Sequence, residues 1–172
     1  MVQDVEEFLK NLYPFSSLPP SSLKNLLNYI TIKYYRRGET IFKAGEKPLE
    51  HLYIVRKGSV VLKLEDKELE ILHEGDTFGY LSLLTGNPPT STAVAERDTI
   101  LYLIPKEIFL RLVEKYPEFQ KFFTSSLAER ISHALNFLKS SKEISGFEKF
   151  LTLKVKDLKL KGVPFVKSRT TF

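Results

Sequence analysis

The chain has no cysteine and no tryptophan, and its single methionine is residue 1. Without thiols there can be no disulfide, no thiolate nucleophile and no cysteine-ligated metal. The three histidines, His51, His73 and His133, stand far apart, so a histidine-built metal site is not expected. No apolar run approaches the ~18 residues needed to span a bilayer. Residues 1–13 lack the short apolar block and small-residue cleavage site of a secretion signal. A cytoplasmic location, away from the membrane, is the expectation. No Ser/His/acid grouping stands out and no P-loop pattern occurs, so catalysis by this chain is not expected. What remains is a chain of 172 residues, 42 % hydrophobic and 27 % charged. That is the make-up of an ordinary globular protein, long enough for one domain with an appendage.

The formal net charge of +5 depends on where it is counted. From Lys139 onward there are nine Lys/Arg against three Asp/Glu, while residues 1–138 hold 17 against 18. The body is near neutral and the basicity sits in the tail. A nucleic-acid binder carries its basic face on the fold, so nucleic acid is not an expected partner of the main domain.

Residues 2–13 read as a helix, with Val5, Phe8, Leu9 and Leu12 at helical spacing and Pro14 ending it. Ser21 or Ser22 is placed to cap a second helix carrying Leu23, Leu26, Leu27 and Ile30. From Thr31 to about Leu103 the period changes. Gly38, Gly45, Gly58, Gly75, Gly79 and Gly86 punctuate short stretches rich in Tyr, Ile, Val and Leu. Ile32/Tyr34, Leu52/Ile54, Val60/Leu62/Leu64 and Leu69/Ile71 alternate as half-buried strands do. Glu65-Asp66-Lys67 reads as a hairpin tip. Many short strands between glycine turns predict a sandwich or small barrel. The helical period returns over Lys106–Tyr116, with Ile108, Phe109, Leu112 and Val113. Pro117 then suits the first position of a long helix, about Glu118 to Lys139. Its apolar stripe packs on the barrel, forms a dimer seam, or does both at different heights. Ser140, Ser141, Ser145 and Gly146 mark a linker into a Lys-rich region over residues 140–172, which is too short for a winged helix-turn-helix.

The stretch from Phe78 to Ala93 is the most informative. It reads as a turn, one short helix, a Gly/Pro loop and a strand, yet it contains no Arg, Lys or Glu.

Several segments resemble the cyclic nucleotide-binding domain family. They are Arg37-Gly38-Glu39-Thr40-Ile41-Phe42-Lys43-Ala44-Gly45-Glu46, then Leu52–Val60, then Glu74-Gly75-Asp76-Thr77-Phe78-Gly79. Order and spacing are similar across residues 15–138. The resemblance implies a mainly β fold with flanking helices: an eight-stranded double-stranded β-helix, jelly-roll-like, followed by a long C-terminal helix. A shorter resemblance covers Ser82–Gly86 with Pro88-Pro89, Leu101–Pro105 and Phe119–Phe123. It is to a subgroup in which this domain precedes paired CBS modules and a nucleotidyltransferase-like domain. Val155–Leu158 and Val166–Thr171 resemble the opening of the first CBS module. The implied division is 1–139 for the cyclic-nucleotide-binding-like domain, with 140–172 as linker and the start of a CBS module cut short.

In that family the short helix presents backbone N–H groups and its dipole to a phosphate. An Arg in the following loop pairs with the phosphate, and a Glu two residues after the Phe accepts a ribose hydroxyl. The aligned positions here are Pro89 and Tyr80. Gly79 is kept, so backbone can still approach a ligand. The resemblance therefore makes Gly79, Tyr80, Leu81, Ser82, Pro89, Ser91 and Thr92 the candidate ligand residues. The ligand would be a nucleotide or another small anion, and no cofactor is certain. Tyr80 can stack on a base or simply fill the vacated pocket. Arg36, Arg37, Arg56 and Arg97 are the cations that could reach the pocket from elsewhere. Loss of two charge-assisted contacts at about 1.5–3 kcal/mol each weakens cyclic nucleotide binding on the order of a hundredfold or more.

These readings predict a non-catalytic regulatory or sensor domain of a larger cytoplasmic signalling protein, communicating with downstream domains of its own chain. It is expected to form a homodimer through Phe119, Phe123, Leu127, Ile131, Leu135 and Leu138. Two alternatives stay open: the effector domain of a catabolite-activator-type transcription regulator, and a genuine cyclic nucleotide sensor.

Overall fold

In the computed structural model, which describes residues 2–140, the glycine-punctuated middle of the chain becomes eight strands in two antiparallel sheets. The strands are β1 (Thr31–Tyr35), β2 (Thr40–Phe42), β3 (His51–Lys57), β4 (Val60–Leu64), β5 (Lys67–Leu72), β6 (Thr77–Phe78), β7 (Thr92–Ala95) and β8 (Thr99–Pro105). One sheet has the order β1-β8-β3-β6 and the other β2-β7-β4-β5. The chain passes repeatedly between them, which is the expected jelly-roll-like β-roll. Helices α1 (Val2–Lys10) and α2 (Pro20–Leu27) precede the roll. The short α3 (Tyr80–Thr85) interrupts it, and α4 (Lys106–Lys115) and α5 (Pro117–Ser140) follow.

The core lies between the sheets and under the helices. In β3, Leu52, Tyr53, Ile54 and Val55 are all buried. One face of that strand meets the opposite sheet, and α4 lies against β3 and β8, so both faces are dry and strict alternation is lost. Alternation also misreads β5. There Leu72 is buried while Ile71 is 40 % exposed. A β-bulge between Leu62 and Lys63 shifts the β4–β5 register, and a one-residue shift exchanges the inward and outward faces. Likewise Ile32 and Tyr34 are exposed rather than half-buried, because β1 is an edge strand paired only with β8.

The helix boundaries follow the sequence with two corrections. α1 ends at Lys10 rather than near residue 13. α2 starts at Pro20, with Pro19 at its N-cap and no side-chain cap, so neither Ser21 nor Ser22 caps it. Pro20 instead supplies a preset helical φ at a position that needs no N–H. Pro117 does the same for α5. The turn joining β4 and β5 is Glu65-Asp66, with Glu65 at φ +54°, while Lys67, read as part of the tip, opens β5.

The described residues up to Phe137 form one compact unit. The CBS-like segments Val155–Leu158 and Val166–Thr171 lie outside the described residues.

Candidate functional site

The cassette is built from Gly79 outward. Gly79 sits at φ +86°, in the left-handed region open to glycine. A Cβ there would lie 3.0 Å from Tyr53 Cδ2, 3.2 Å from Leu49 Cδ1 and 3.4 Å from the His51 carbonyl oxygen. Backbone freedom and close packing thus both require glycine. The helix α3 that follows closes on Gly86, also left-handed at φ +71°, whose N–H donates to the Ser82 carbonyl at 2.9 Å. The N–H groups of Tyr80, Leu81 and Ser82 form the first turn, where no earlier helical carbonyl exists to accept them. The predicted turn–helix–loop–strand order is therefore present.

The side chains of the cassette are committed to the fold. Ser82 is buried; its hydroxyl accepts from the Leu49 N–H at 2.9 Å and donates to the Asn87 carbonyl. That hydroxyl holds the Gly/Pro loop and the chain before β3, so it is not a free ligand group. Thr92 Oγ1 accepts from the Ala44 N–H at 3.0 Å. Pro89 is buried, and its carbonyl accepts from the Gly45 N–H at 2.9 Å. These two bonds tie the loop after β2 to the cassette loop. Leu81 and Ser91 are half-buried.

Tyr80, at the position where the resemblance expects Glu, is 1 % exposed. Its ring lies 5.3 Å from that of Phe123 in α5, and the guanidinium of Arg130 sits 5.0 Å above it. Arg130 also donates to the Thr77 carbonyl at 2.9 Å and pairs with Glu70 at 3.5 Å. The arginine that bonds to the cassette is therefore one the sequence reading did not single out. Of those it named, Arg56 pairs with Glu74 at 3.4 Å and covers the Phe8 ring. The backbone N–H groups of Arg36 and Arg37 donate to Glu39 and Asp98. Arg97 is exposed. Arg130 lies fifty positions from Tyr80, and no local spacing marks such a pair.

The Tyr80 hydroxyl is buried and makes no hydrogen bond. Burial pushes its pKa up to about 12, against a smaller opposing pull from Arg130. Burial likewise raises Tyr53 to about 12. The neutral phenol is the form the fold favours, so the contribution is complete below the unfolded value of 10.0 and is lost as pH rises through the folded one. Tyrosinate absorbance followed against pH should show these two phenols ionising last, together with alkaline unfolding between about pH 10 and 12. Ionisation of all eight tyrosines near their ordinary value, with the fold intact, would contradict this placement.

The proposed dimer stripe is divided by the structure. Phe119, Phe123 and Leu127 are buried in the chain's own core, so intramolecular packing has already taken them and they cannot face a partner. Ile131 packs against the edge of that core and Leu135 is half-buried; Leu138 lies outside the residues whose side chains are described. Among the described residues no group of three or more His, Asp or Glu is placed to hold a metal, and no helix is long and apolar enough to cross a membrane.

Residues 32–116 match the profile of the family described as cyclic nucleotide-binding domain. This segment is a cyclic nucleotide-binding domain by family. The domain is 30 % identical over 125 residues to the cyclic AMP receptor protein of Thermus thermophilus, covering 70 % of this chain and 57 % of that protein. It is 28 % identical over 112 residues to the cAMP-dependent protein kinase regulatory subunit of Eremothecium gossypii, covering 65 % of this chain and 24 % of that one. The solved catabolite activator protein of Thermus thermophilus superposes with a TM-score of 0.60 at 29 % identity, over 78 % of this chain and 63 % of that one. The chain spans between 11 % and 57 % of the length of such curated relatives. The residues matched to the family, 32–116, comprise the roll with α3 and α4.

Proposed function

We propose that this chain is a non-catalytic regulatory module on the cyclic nucleotide-binding fold, in a cytoplasmic signalling protein, and that its cassette no longer grips cAMP or cGMP. The observation that carries the reading is the fate of the two gripping positions. Tyr80 is buried beneath α5, and Pro89 is buried with its carbonyl tied to Gly45. Neither offers a carboxylate to a ribose or a guanidinium to a phosphate. Proline also removes a backbone donor at that point. What survives of an anion site is the first turn of α3.

The relatives include a cAMP-dependent protein kinase regulatory subunit and a cyclic AMP receptor protein, which supports a role in control. The downstream target proposed here is a pair of CBS modules and a nucleotidyltransferase-like domain in the same chain. Homodimerisation is proposed along the outer part of α5, through Ile131, Leu135 and Leu138. A monomer in sedimentation at every concentration would remove that part of the proposal. The likeness to the Thermus cyclic AMP receptor protein favours a second reading, the effector domain of a cyclic-nucleotide-responsive transcription regulator.

Thermal unfolding with ligands separates the two. A ligand stabilises by RT ln(1 + [L]/Kd), so a micromolar ligand at roughly 1 mM adds about 4 kcal/mol, a shift on the order of ten degrees. The proposed reading, with a Kd of about 100 μM or weaker, expects at most about 1.4 kcal/mol with cAMP or cGMP, a shift of roughly five degrees or less. A shift near ten degrees would overturn the proposed reading and leave a genuine cyclic nucleotide sensor, as the second reading also requires.

A further inference from the structure

Four strands bound the two sheets: β1 and β6 in one, β2 and β5 in the other. Three of these edges are blunted. Register shifts interrupt the β2–β7 and β4–β5 pairings, and β6 has two residues. Irregular or short edges resist the addition of another strand. β1 differs. It pairs with β8 without a shift from Thr31 to Tyr35, and Thr31, Ile32, Lys33 and Tyr34 are all exposed. Ile32 and Tyr34 share one face. They are 42 % and 57 % exposed, and Tyr29, just before the strand, is 43 % exposed.

The end of β1 is basic. The Gly38 N–H donates to the Ala95 carbonyl at 2.7 Å, and the Glu96 N–H to the Ser59 carbonyl at 3.0 Å. The turns after β1, β3 and β7 therefore meet. They carry Arg36, Arg37, Lys57 and Arg97, all exposed. None of these four side chains forms an ion pair among the described residues. The acids nearby are already occupied. Glu39 accepts from the Arg36 N–H at 2.8 Å. Asp98 accepts from the Arg37 N–H at 2.9 Å and from the Tyr34 hydroxyl, and Glu96 from the Ser59 hydroxyl.

We propose that β1 is a docking edge for an extended acidic segment of a partner protein, which adds as a strand beside it. Apolar side chains of that segment lie on Ile32 and Tyr34, and its carboxylates meet Lys33 and the basic turns. Lys33 decides the occupant. A lysine in mid-edge disfavours apolar and basic strands. A second copy of β1, paired antiparallel about the strand centre, would set the two Lys33 side chains against each other. An acidic strand turns the same charge into an attraction. The edge includes no cassette residue, so the proposal stands whatever the cassette binds.

The probe is a fluorescein-labelled peptide of about eight residues alternating Val and Glu, with a Val/Lys peptide as control. Fluorescence anisotropy with the full chain should give a Kd on the order of 100 μM at low salt. Raising salt to roughly 0.5 M should weaken it about five-fold or more. Arg36→Gln together with Arg37→Gln should also weaken it about five-fold. Lys33→Gln should cost about three-fold, and it serves if the double variant folds poorly. In heteronuclear NMR the peptide should shift the amide signals of residues 31–37 and leave those of residues 78–93 in place. No binding at about 1 mM peptide, equal binding of the Val/Lys peptide, or shifts at β5 instead of β1 would overturn the proposal. So would tighter binding of a single-stranded oligonucleotide at the same amides. A dimer of the chain that Tyr34→Lys abolishes in sedimentation would show that β1 pairs with itself, and would overturn it equally.

Discussion

Truncation of Phe123 to alanine is expected to lower the free energy of unfolding by about 3–5 kcal/mol. The ring has 0 % exposure and touches aromatic partners on every side. It meets Phe109 edge-on at 4.9 Å and Phe122 at 5.0 Å, with Tyr80 at 5.3 Å and Phe119 at 6.2 Å. These rings come from α3, α4 and α5, so the cavity would open where three helices meet. Such a site collapses poorly, because the sheets fix α3 and α4 from below. Each aromatic pair also contributes about 0.5–1.5 kcal/mol beyond area burial. Denaturant unfolding provides the measurement, with an unchanged m-value marking a true loss of stability. Phe122→Ala is the control: that ring is only half-buried, and its removal should cost less than half as much. Equal losses at the two positions would show that Phe123 is not the hub.

The second large effect is expected at Gly58. It lies between β3 and β4, where the chain passes from one sheet to the other. Its φ is +90°, and a Cβ there would sit 2.3 Å from the Asp98 carbonyl oxygen and 2.6 Å from Thr99 Oγ1. No real Cβ tolerates that separation from backbone, so the crossing and the start of β8 must part. The bonds at risk are specific. Thr99 Oγ1 accepts from the Ser59 N–H at 3.2 Å and lies 2.9 Å from the Ser59 carbonyl. The Ser59 hydroxyl also bonds the Glu96 carboxylate. Gly58→Ala should therefore cost about 3 kcal/mol or more. Gly38→Ala isolates the backbone part: φ is +85° with nothing within 4 Å, and only about 1–2 kcal/mol is expected. Thermal or urea unfolding of the two variants side by side gives the difference that belongs to crowding.

Much of the roll was readable because its signals are local. A glycine at positive φ, a proline at the head of a helix and a two-residue hairpin tip each act through their own backbone. Gly79, Gly86, Pro117 and Glu65-Asp66 accordingly stand where the sequence placed them. Faces were harder to read, since a face depends on what packs above it. Ile71 and Leu72 exchange roles through a bulge set by the partner strand, and Ile32 and Tyr34 lie on an edge that periodicity does not reveal. In α5 a single stripe from Phe119 to Leu138 read as continuous, yet the body of the domain consumes its first half. The cassette was legible as a shape and as two missing charges. Its link to α5 was not, because the meeting of Tyr80 with Arg130 is a product of the closed roll.

The two missing charges carry the functional conclusion. Gly79 and the first turn of α3 keep the turn–helix shape of the cassette, while Tyr80 and Pro89 are buried. Each lost charge-assisted contact weakens a bound cyclic nucleotide by about 1.5–3 kcal/mol, so a micromolar ligand becomes one of about 100 μM or weaker. Isothermal titration of the chain with cAMP measures this directly. The account predicts no saturable heat, or a Kd weaker than about 100 μM; a one-to-one isotherm with a Kd tighter than about 10 μM would contradict it.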